Sequence, residues 1–427
     1  MHILCLTQWF TPEPESSRGL PFAKWLASRG HRVTVLTGFP NHPGGKLYPG
    51  YGLRLRQWET IEGVRVLRVP LYPSHDRSAL RRGLNYMSFA ASAATIGLTS
   101  VGKVDAIYAM ATPPTIGLAP LIAQVFSNVP YLFNVTDLWP EAVVESGMVR
   151  NRLARRAVSR VLTAICRWVY GGARFVTTIS EGYKQILVER GIAENRVHAV
   201  YNWVDEELFR PVPRDPALMQ ELGLAGCFNF IYAGNFGPFQ GLHVLLRAAA
   251  LLQDFPEIQI VLAGTGQLEP ELRAQANALG LPNVRFINHV PQRQMPAVYS
   301  AADVLVIHLL DRPFLRVTVP SKTQVSLAMG RPVLMAAAGE SADLVRKAGA
   351  GIVCEPENEF ALADGIKRLY QAPKSEREAM GRRARFFYLS KMSLAAGAPR
   401  IEDLLLEAAG HSFRKHESEK HFVTANS

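Results

Sequence analysis

Residues 228–241, FNFIYAGNFGPFQG, run directly into the apolar-periodic LHVLLRAAALL, and they constrain the fold more than any other stretch of the chain. A hydrophobic strand breaks into Gly234, Gly237 and Gly241 and re-enters as a helix. Such a junction presents bare backbone N–H groups at a helix N-terminus, where an anionic phosphate is stabilised. The loop sits in the middle of the chain, behind a first half that already reads as strand, loop, helix and strand. The arrangement predicts an α/β protein of two Rossmann-like domains facing a central cleft.

A chain of 427 residues exceeds what one hydrophobic core supports, so two domains of roughly 200 residues are expected. The predicted divisions are an N-terminal domain over 1–211, a C-terminal domain over 212–385, a helical segment over 386–410 that packs back toward the first domain, and a polar tail over 411–427. The first boundary rests on the proline-rich shift in VYNWVDEELFRPVPRDP. The four cysteines are scattered without metal-ligand spacing, which points to a reducing compartment and no structural zinc. With no secretory pattern ahead of the first strand, a cytoplasmic location is expected.

A net charge of +11 and a pI near 9.6 draw a protein toward nucleic acid or anionic lipid. Residues 151–170 place Arg152, Arg155, Arg156, Arg160 and Arg167 among Leu153, Ala157, Val158, Val161, Leu162, Ile165 and Val169 at helical spacing. This basic amphipathic helix is either a solvated surface helix or one that lies on an anionic membrane. Residues 83–102 carry no charge, but their serines, threonines and asparagine make a poor membrane span. They read as a core-facing or interface-lying helix. No basic stripe interleaves with aromatics in a recognised module, so nucleic acid is not an expected partner.

In chain order, strands are expected over 3–7, 31–36, 64–69, 106–109, 131–135 and 175–178. The second half repeats the pattern with strands over 228–233, 258–263, 284–286, 304–308 and 332–335 and helices between them. Ligands of open α/β sheets bind at the carboxyl ends of strands. Candidate site segments are therefore 234–241, the turn 264–266, 308–322 and 336–340.

The phrases GHRVTVLT, NVTDLWPEA, TTISEGY, VYNWVD, YAGNFGPFQG and VPSKTQVSLAMGRPVL occur in this order. Together they resemble a retaining family 4 glycosyltransferase of GT-B fold, from the first strand to about residue 370, with the WbuB-type subgroup of L-fucosamine transferases nearest in flavour. The resemblance implies a hexosyltransferase of bacterial surface polysaccharide assembly. Its donor, a nucleotide-sugar with a UDP-sugar favoured, would lie on the second domain. The first domain would hold a polyprenyl-diphosphate-linked saccharide acceptor, with the enzyme peripheral on the inner face of the inner membrane. No cofactor is implied.

The chain departs from the family pattern at four positions. Where the family places a basic pair in the central loop, Asn235 and Gln240 stand here, and where it carries two glutamates for ribose and sugar, Val317 and Val325 stand. A micromolar donor needs about 8 kcal/mol, whereas a helix terminus contributes up to about 2 kcal/mol. A cation is therefore required. Lys322, assisted by Arg312 or Arg316, is the candidate for the diphosphate.

Ser321 reads as the cap of the Lys322 helix and a phosphate donor. Glu340, in Ala-Gly-Glu-Ser, is placed to replace the missing pair, and Gly19 with Arg18 is placed to let the donor phosphate approach. The predicted donor contacts are thus Arg18, Gly19, Gly234, Asn235, Gly237, Gln240, Gly241, Gly264, Ser321 and Glu340. Asp137 either orients an acceptor hydroxyl or caps the helix that follows it. Glu181, behind the potential cap Ser180, and Asn202 are the candidates for the acceptor or sugar.

Catalysis is expected from Lys322, Asp137 and leaving-group stabilisation at the helix N-terminus, with no metal, because no Asp-x-Asp motif occurs. Two other readings stay open: a GT-B nucleotide-sugar epimerase, and a non-catalytic assembly partner that kept the fold.

Overall fold

The computed structural model describes residues 1–14, 18–74, 78–111, 113–141, 143, 151–288 and 290–411, and it separates into two compact units. The first holds Met1–Thr177, Ile192–His198 and the chain from Ala398 onward; the second holds Thr178–Gly191 and Ala199–Gly397.

The first unit is built on an eight-stranded sheet of order β3-β4-β2-β1-β5-β6-β7-β8. Its strands are β1 (His2–Leu6), β2 (Arg32–Gly38), β3 (Gln57–Ile61), β4 (Val64–Val69), β5 (Ala106–Ala111), β6 (Tyr131–Val135), β7 (Phe175–Thr178) and β8 (Val197–Ala199). β1 lies parallel between β2 and β5, and every residue of β1 and β6 is buried, as the continuous apolar runs require. β3 runs antiparallel to β4 and is joined to it through Glu62 (φ +46°) and Gly63 (φ +85°). Two consecutive positive-φ residues match the twist of a tight hairpin.

The second unit carries a six-stranded sheet of order β11-β10-β9-β12-β13-β14. Its strands are β9 (Phe228–Ala233), β10 (Ile258–Ala263), β11 (Val284–Ile287), β12 (Val304–His308), β13 (Val333–Ala336) and β14 (Gly351–Cys354), all parallel. Alternate residues feed two cores. Ile231, Val261, Leu305 and Met335 face one side, and Phe230, Ile260, Val306 and Leu334 the other. Helices cover both faces, which is why these strands read as unbroken hydrophobic runs.

The strands expected over 64–69, 131–135, 175–178, 228–233, 258–263 and 304–308 form with those bounds. β3, β8 and β14 were not expected. β3 is a polar-alternating edge strand, and β8 has only three residues.

The division of the chain also differs from the boundary near 211. The proline-rich segment lies inside the second unit, whereas the chain changes units at 177/178, 191/192, 198/199 and 397/398. The return at 398 has a local cause. Glu402, on the Leu394–Ala408 helix and only 3% exposed, accepts from His31 at 2.8 Å and Arg29 at 3.3 Å, both in the first unit. Apart from His411, the tail predicted over 411–427 lies outside the described residues.

The uncharged segment folds as the Ala79–Ser92 helix, a π turn (Ala93–Gly97) and the short Leu98–Val101 helix, ending at Gly102 with φ +76°. Asn85, Phe89, Ala90, Ala93 and Gly97 are buried, while Leu80, Leu84 and Met87 point to solvent. No helix among the described residues is long and apolar enough to cross a membrane.

Candidate functional site

At the carboxyl ends of β9 and β10 two glycine turns meet backbone to backbone. Gly264 has φ +144°, and a Cβ there would lie 2.0 Å from the Gly234 carbonyl oxygen; a Cβ on Gly266 would lie 2.5 Å from the Phe236 nitrogen. Phe236 N–H donates to the Thr265 carbonyl at 2.8 Å and closes the contact. Only glycine fits where two main chains approach this closely.

The loop then turns at Gly241 (φ +57°) straight into the Leu242–Ala250 helix, with no side chain capping that N-terminus. The exit of β12 fixes the turn. Leu310 N–H donates to the Phe239 carbonyl at 2.9 Å, and the His308 Nδ1 lies 2.9 Å from the Gln240 carbonyl. Burial holds the His308 pKa down at about 4, so the ring is neutral and its Nδ1 carries the proton toward that carbonyl. Gly237 leaves room beside the Gln240 amide, since a Cβ there would lie 2.6 Å from Gln240 Oε1. Gln240 Oε1 is buried with no hydrogen-bond partner among the described residues.

Lys322 reaches this loop from the Ser321–Ala328 helix. Its stem crosses Gly234, where a Cβ would lie 2.4 Å from Lys322 Cε, and its Nζ stands 4.3 Å from the centre of the Tyr232 ring while donating to the Tyr232 hydroxyl. That hydroxyl donates onward to the Asn235 carbonyl at 2.7 Å. Burial lowers the Lys322 pKa to about 8, and among the described residues no carboxylate pairs with it. The ammonium thus stands at a helix start that no side chain caps, beside glycine turns of open backbone, an arrangement whose charge and free donors suit an anion.

In the first unit, Asp137 follows β6 at its carboxyl end, with Thr136 Oγ1 3.4 Å from its Oδ2. Most of the segment that follows, where the alternative capping role would be seen, lies outside the described residues.

Two family models cover most of the chain: "Glycosyl transferases group 1" matches residues 219–386 and "Glycosyl transferase 4-like domain" matches residues 20–203. An Escherichia coli protein named as a colanic acid biosynthesis glycosyl transferase, WcaI, is 29% identical over 82% of this chain and 87% of its own. The D-rhamnosyltransferase WbpZ of Pseudomonas aeruginosa is 32% identical over 57% of this chain and 61% of its own. Anabaena HepE, solved with UDP and glucose, superposes with a TM-score of 0.66 at 18% identity, over 95% of this chain and all (100%) of that one. Starch synthase IV of Arabidopsis thaliana reaches a TM-score of 0.70 at 13% identity, over 96% and 99%. This chain is a glycosyltransferase of GT-B fold, with one domain of the group 1 type and one of the 4-like type.

The structure of the glycosyltransferase redistributes several predicted roles. Arg18 lies inside the first unit. It is 1% exposed and donates to the Tyr108 hydroxyl at 3.1 Å and to Asn134 Oδ1, and Gly19 beside it is buried too. Ser321 does not cap its helix. Pro320 occupies the cap position, no side chain closes it, and Ser321 becomes an exposed first-turn residue.

Glu340 is engaged in its own unit. Its Oε1 accepts the Glu181 N–H at 2.8 Å and the Tyr201 hydroxyl at 2.9 Å, and its Oε2 accepts the Gly182 N–H at 2.8 Å. It closes the N-terminus of the Glu181–Glu189 helix, which Ser180 caps by accepting from Tyr183 N at 3.1 Å. Glu181 is an exposed first-turn residue of that helix, and Asn202 is half-buried.

Arg312 and Arg316, the proposed helpers of Lys322, pair with Glu357 at 2.9 Å and Asp311 at 2.5 Å. Val325 is 8% exposed within the core, and the Val317 carbonyl accepts from Ser180 Oγ at 2.7 Å. Val325 and Val317, where the resemblance implies glutamates, thus contribute a core side chain and a backbone acceptor. Sequence reasoning missed Tyr232, whose position late in a buried strand reads as core; its hydroxyl accepts from Lys322 and donates to the Asn235 carbonyl.

Proposed function

We propose that this glycosyltransferase moves a hexose, of the deoxy or deoxyamino type, from a UDP-sugar to a polyprenyl-diphosphate-linked saccharide in bacterial surface polysaccharide assembly, with retention. The observation that carries this reading is Lys322, a half-buried cation that no carboxylate among the described residues pairs with, against the glycine turns of β9 and β10. It supplies the charge that Asn235 and Gln240 lack, and it stabilises the departing diphosphate. The colanic acid biosynthesis for which WcaI is named supports the polysaccharide setting, the D-rhamnosyltransferase WbpZ supports a deoxyhexose, and the UDP bound to HepE supports the donor.

An anionic membrane surface is the proposed location. The Ala79–Ser92, Leu118–Ser127 and Arg152–Gly172 helices are neighbours in the first unit. They expose Leu80 (75%), Phe126 (82%), Leu153 (73%) and Trp168 (64%) beside Arg152, Arg155, Arg156, Arg160 and Arg167. A mixed apolar and basic face suits the headgroup region of an anionic bilayer.

Purified full-length protein incubated with a panel of UDP-sugars and polyprenyl-diphosphate-linked acceptors tests the reading. Expected are transfer that persists in EDTA, an α- or β-anomer matching that of the donor, and loss of transfer in Lys322→Ala. Rescue by magnesium after chelation, or inversion at the anomeric carbon, counts against it.

A further inference from the structure

At the end of the second unit opposite the glycine turns, where β12 and β13 begin, a cavity of about 930 Å³ opens between Asp303, Arg331 and the Lys374–Lys391 helix. Arg214, Arg331, Lys374, Arg377, Arg382 and Arg385 line it, against Asp303 and Glu378 as its acidic groups. Asp303 is already committed, since it takes Arg214 Nη2 at 2.6 Å and the Asn229 N–H at 2.8 Å.

Part of this charge has a structural origin, because cations collect at helix C-termini. Arg214 donates to the Ala302 carbonyl at 2.9 Å and Arg331 to the Ser300 carbonyl at 2.7 Å, at the end of the Met295–Ala301 helix. Arg385 donates to the Ala328 carbonyl at 2.7 Å, and Arg377 to the carbonyls of Leu369 and Tyr370 at 3.3 and 3.2 Å. Each guanidinium spends one or two of its five N–H donors on these duties and is held still by them. Burial first, and the neighbouring Arg214 second, lower the Arg331 pKa, which marks like charges crowded into a poorly solvated place.

Helix capping does not explain Lys374 and Arg382. Lys374 reaches only Glu378, at 3.9 Å, and Arg382 has no partner among the described residues. Both stand at the cavity beside Phe386, which is 74% exposed.

We propose that this cavity is a second anion site, separate from the Lys322 site, and that it binds a phosphate-bearing ligand. Fixed guanidinium forks match phosphate oxygens two at a time, Lys374 and Arg382 supply mobile charge at the mouth, and Phe386 offers a flat apolar surface to whatever the phosphate carries.

Titration calorimetry with inorganic pyrophosphate on full-length Lys322→Ala protein tests it, because that background removes the proposed donor site. Pyrophosphate is expected to bind this variant, and adding Lys374→Ala with Arg382→Ala is expected to weaken binding at least tenfold, while Lys374→Arg with Arg382→Lys retains it. Both side chains are exposed, so the unliganded melting temperature should not move. A Lys322→Ala protein that takes up no pyrophosphate at millimolar concentration, or an affinity indifferent to the double substitution, overturns the proposal. In a second arm, sedimentation with phosphatidic acid vesicles separates the sources of the phosphate. A loss of sedimentation caused by the double substitution assigns a lipid headgroup, and unchanged sedimentation assigns a soluble phosphate ester; the site stands in both cases.

Discussion

Lys322 and Tyr232, ninety positions apart in sequence, form one unit: the ammonium sits 4.3 Å from the ring centre and donates to the hydroxyl, which in turn donates to the Asn235 carbonyl at 2.7 Å. The tyrosine thereby fixes both the cation and the loop on which the cation acts. With one N–H spent on Tyr232, the remaining donors of Lys322 are free for phosphate oxygens.

Donor affinity should depend on pH through this lysine. Its pKa in the empty site is lowered to about 8, and a bound diphosphate raises it, so UDP affinity should be flat below about pH 8 and fall above it. The stability of the empty protein moves the other way. Between about pH 8 and the ordinary lysine range the unfolded chain binds more protons than the folded one, so this group makes stability rise with pH there. Lys322→Met should accordingly raise the melting temperature of the empty protein at pH 7 while abolishing UDP binding; calorimetry and thermal melts across pH 6.5–10 check both.

Tyr232→Phe keeps the ring under the ammonium but removes the hydroxyl. A lost hydrogen bond of this kind costs about 1 to 1.5 kcal/mol, which corresponds to a roughly five- to tenfold rise in the KM for donor, with kcat less affected. Steady-state kinetics at varied UDP-sugar separate the two terms, and an unchanged KM would show that the hydroxyl does not position Lys322.

Glu340→Ala should act on folding. It removes the acceptor of two amide donors at the start of the Glu181–Glu189 helix and of the Tyr201 hydroxyl, a loss of about 2 to 4 kcal/mol. Thermal denaturation should show a clear drop, and UDP affinity measured below the transition should hold. A large affinity loss without a stability loss would restore Glu340 to the donor.

Gly264→Ala tests the turn-to-turn contact. A methyl group 2.0 Å from the Gly234 carbonyl, on a residue with φ +144°, cannot be accommodated without moving the loop. Loss of UDP binding is expected from a protein that still folds, as judged by far-UV circular dichroism. Gly280→Ala, with open space around its Cβ but also at positive φ, controls for backbone strain alone.

Charge reversal at Arg155, Arg156 and Arg160 should release the protein from anionic vesicles and leave UDP binding intact. Wild-type binding should weaken as salt rises, since exposed charges are screened beyond about 10 Å at 0.1 M. Cosedimentation at several salt concentrations measures both effects, and a wild type that never sediments in low salt refutes the membrane location.

Local pattern was enough for much of this protein. Continuous apolar runs such as FNFIYA and IQIVLA fix buried parallel strands, because both faces of a parallel sheet are covered, and the glycine loop fixes a tight turn from strand end to helix start. Asn235 and Gln240 likewise show from sequence alone that this loop carries no charge of its own. Tertiary structure decided which polar groups were left to meet a ligand. Arg18 donates to Asn134 and Tyr108 inside its unit, Glu340 closes a helix start, and Arg312 and Arg316 pair with acids near them, while Lys322 reaches the loop with no carboxylate beside it among the described residues. Sequence spacing ranks residues by chemical type, but a side chain can serve a substrate only with the hydrogen bonds that folding leaves over, and those depend on partners far away along the chain.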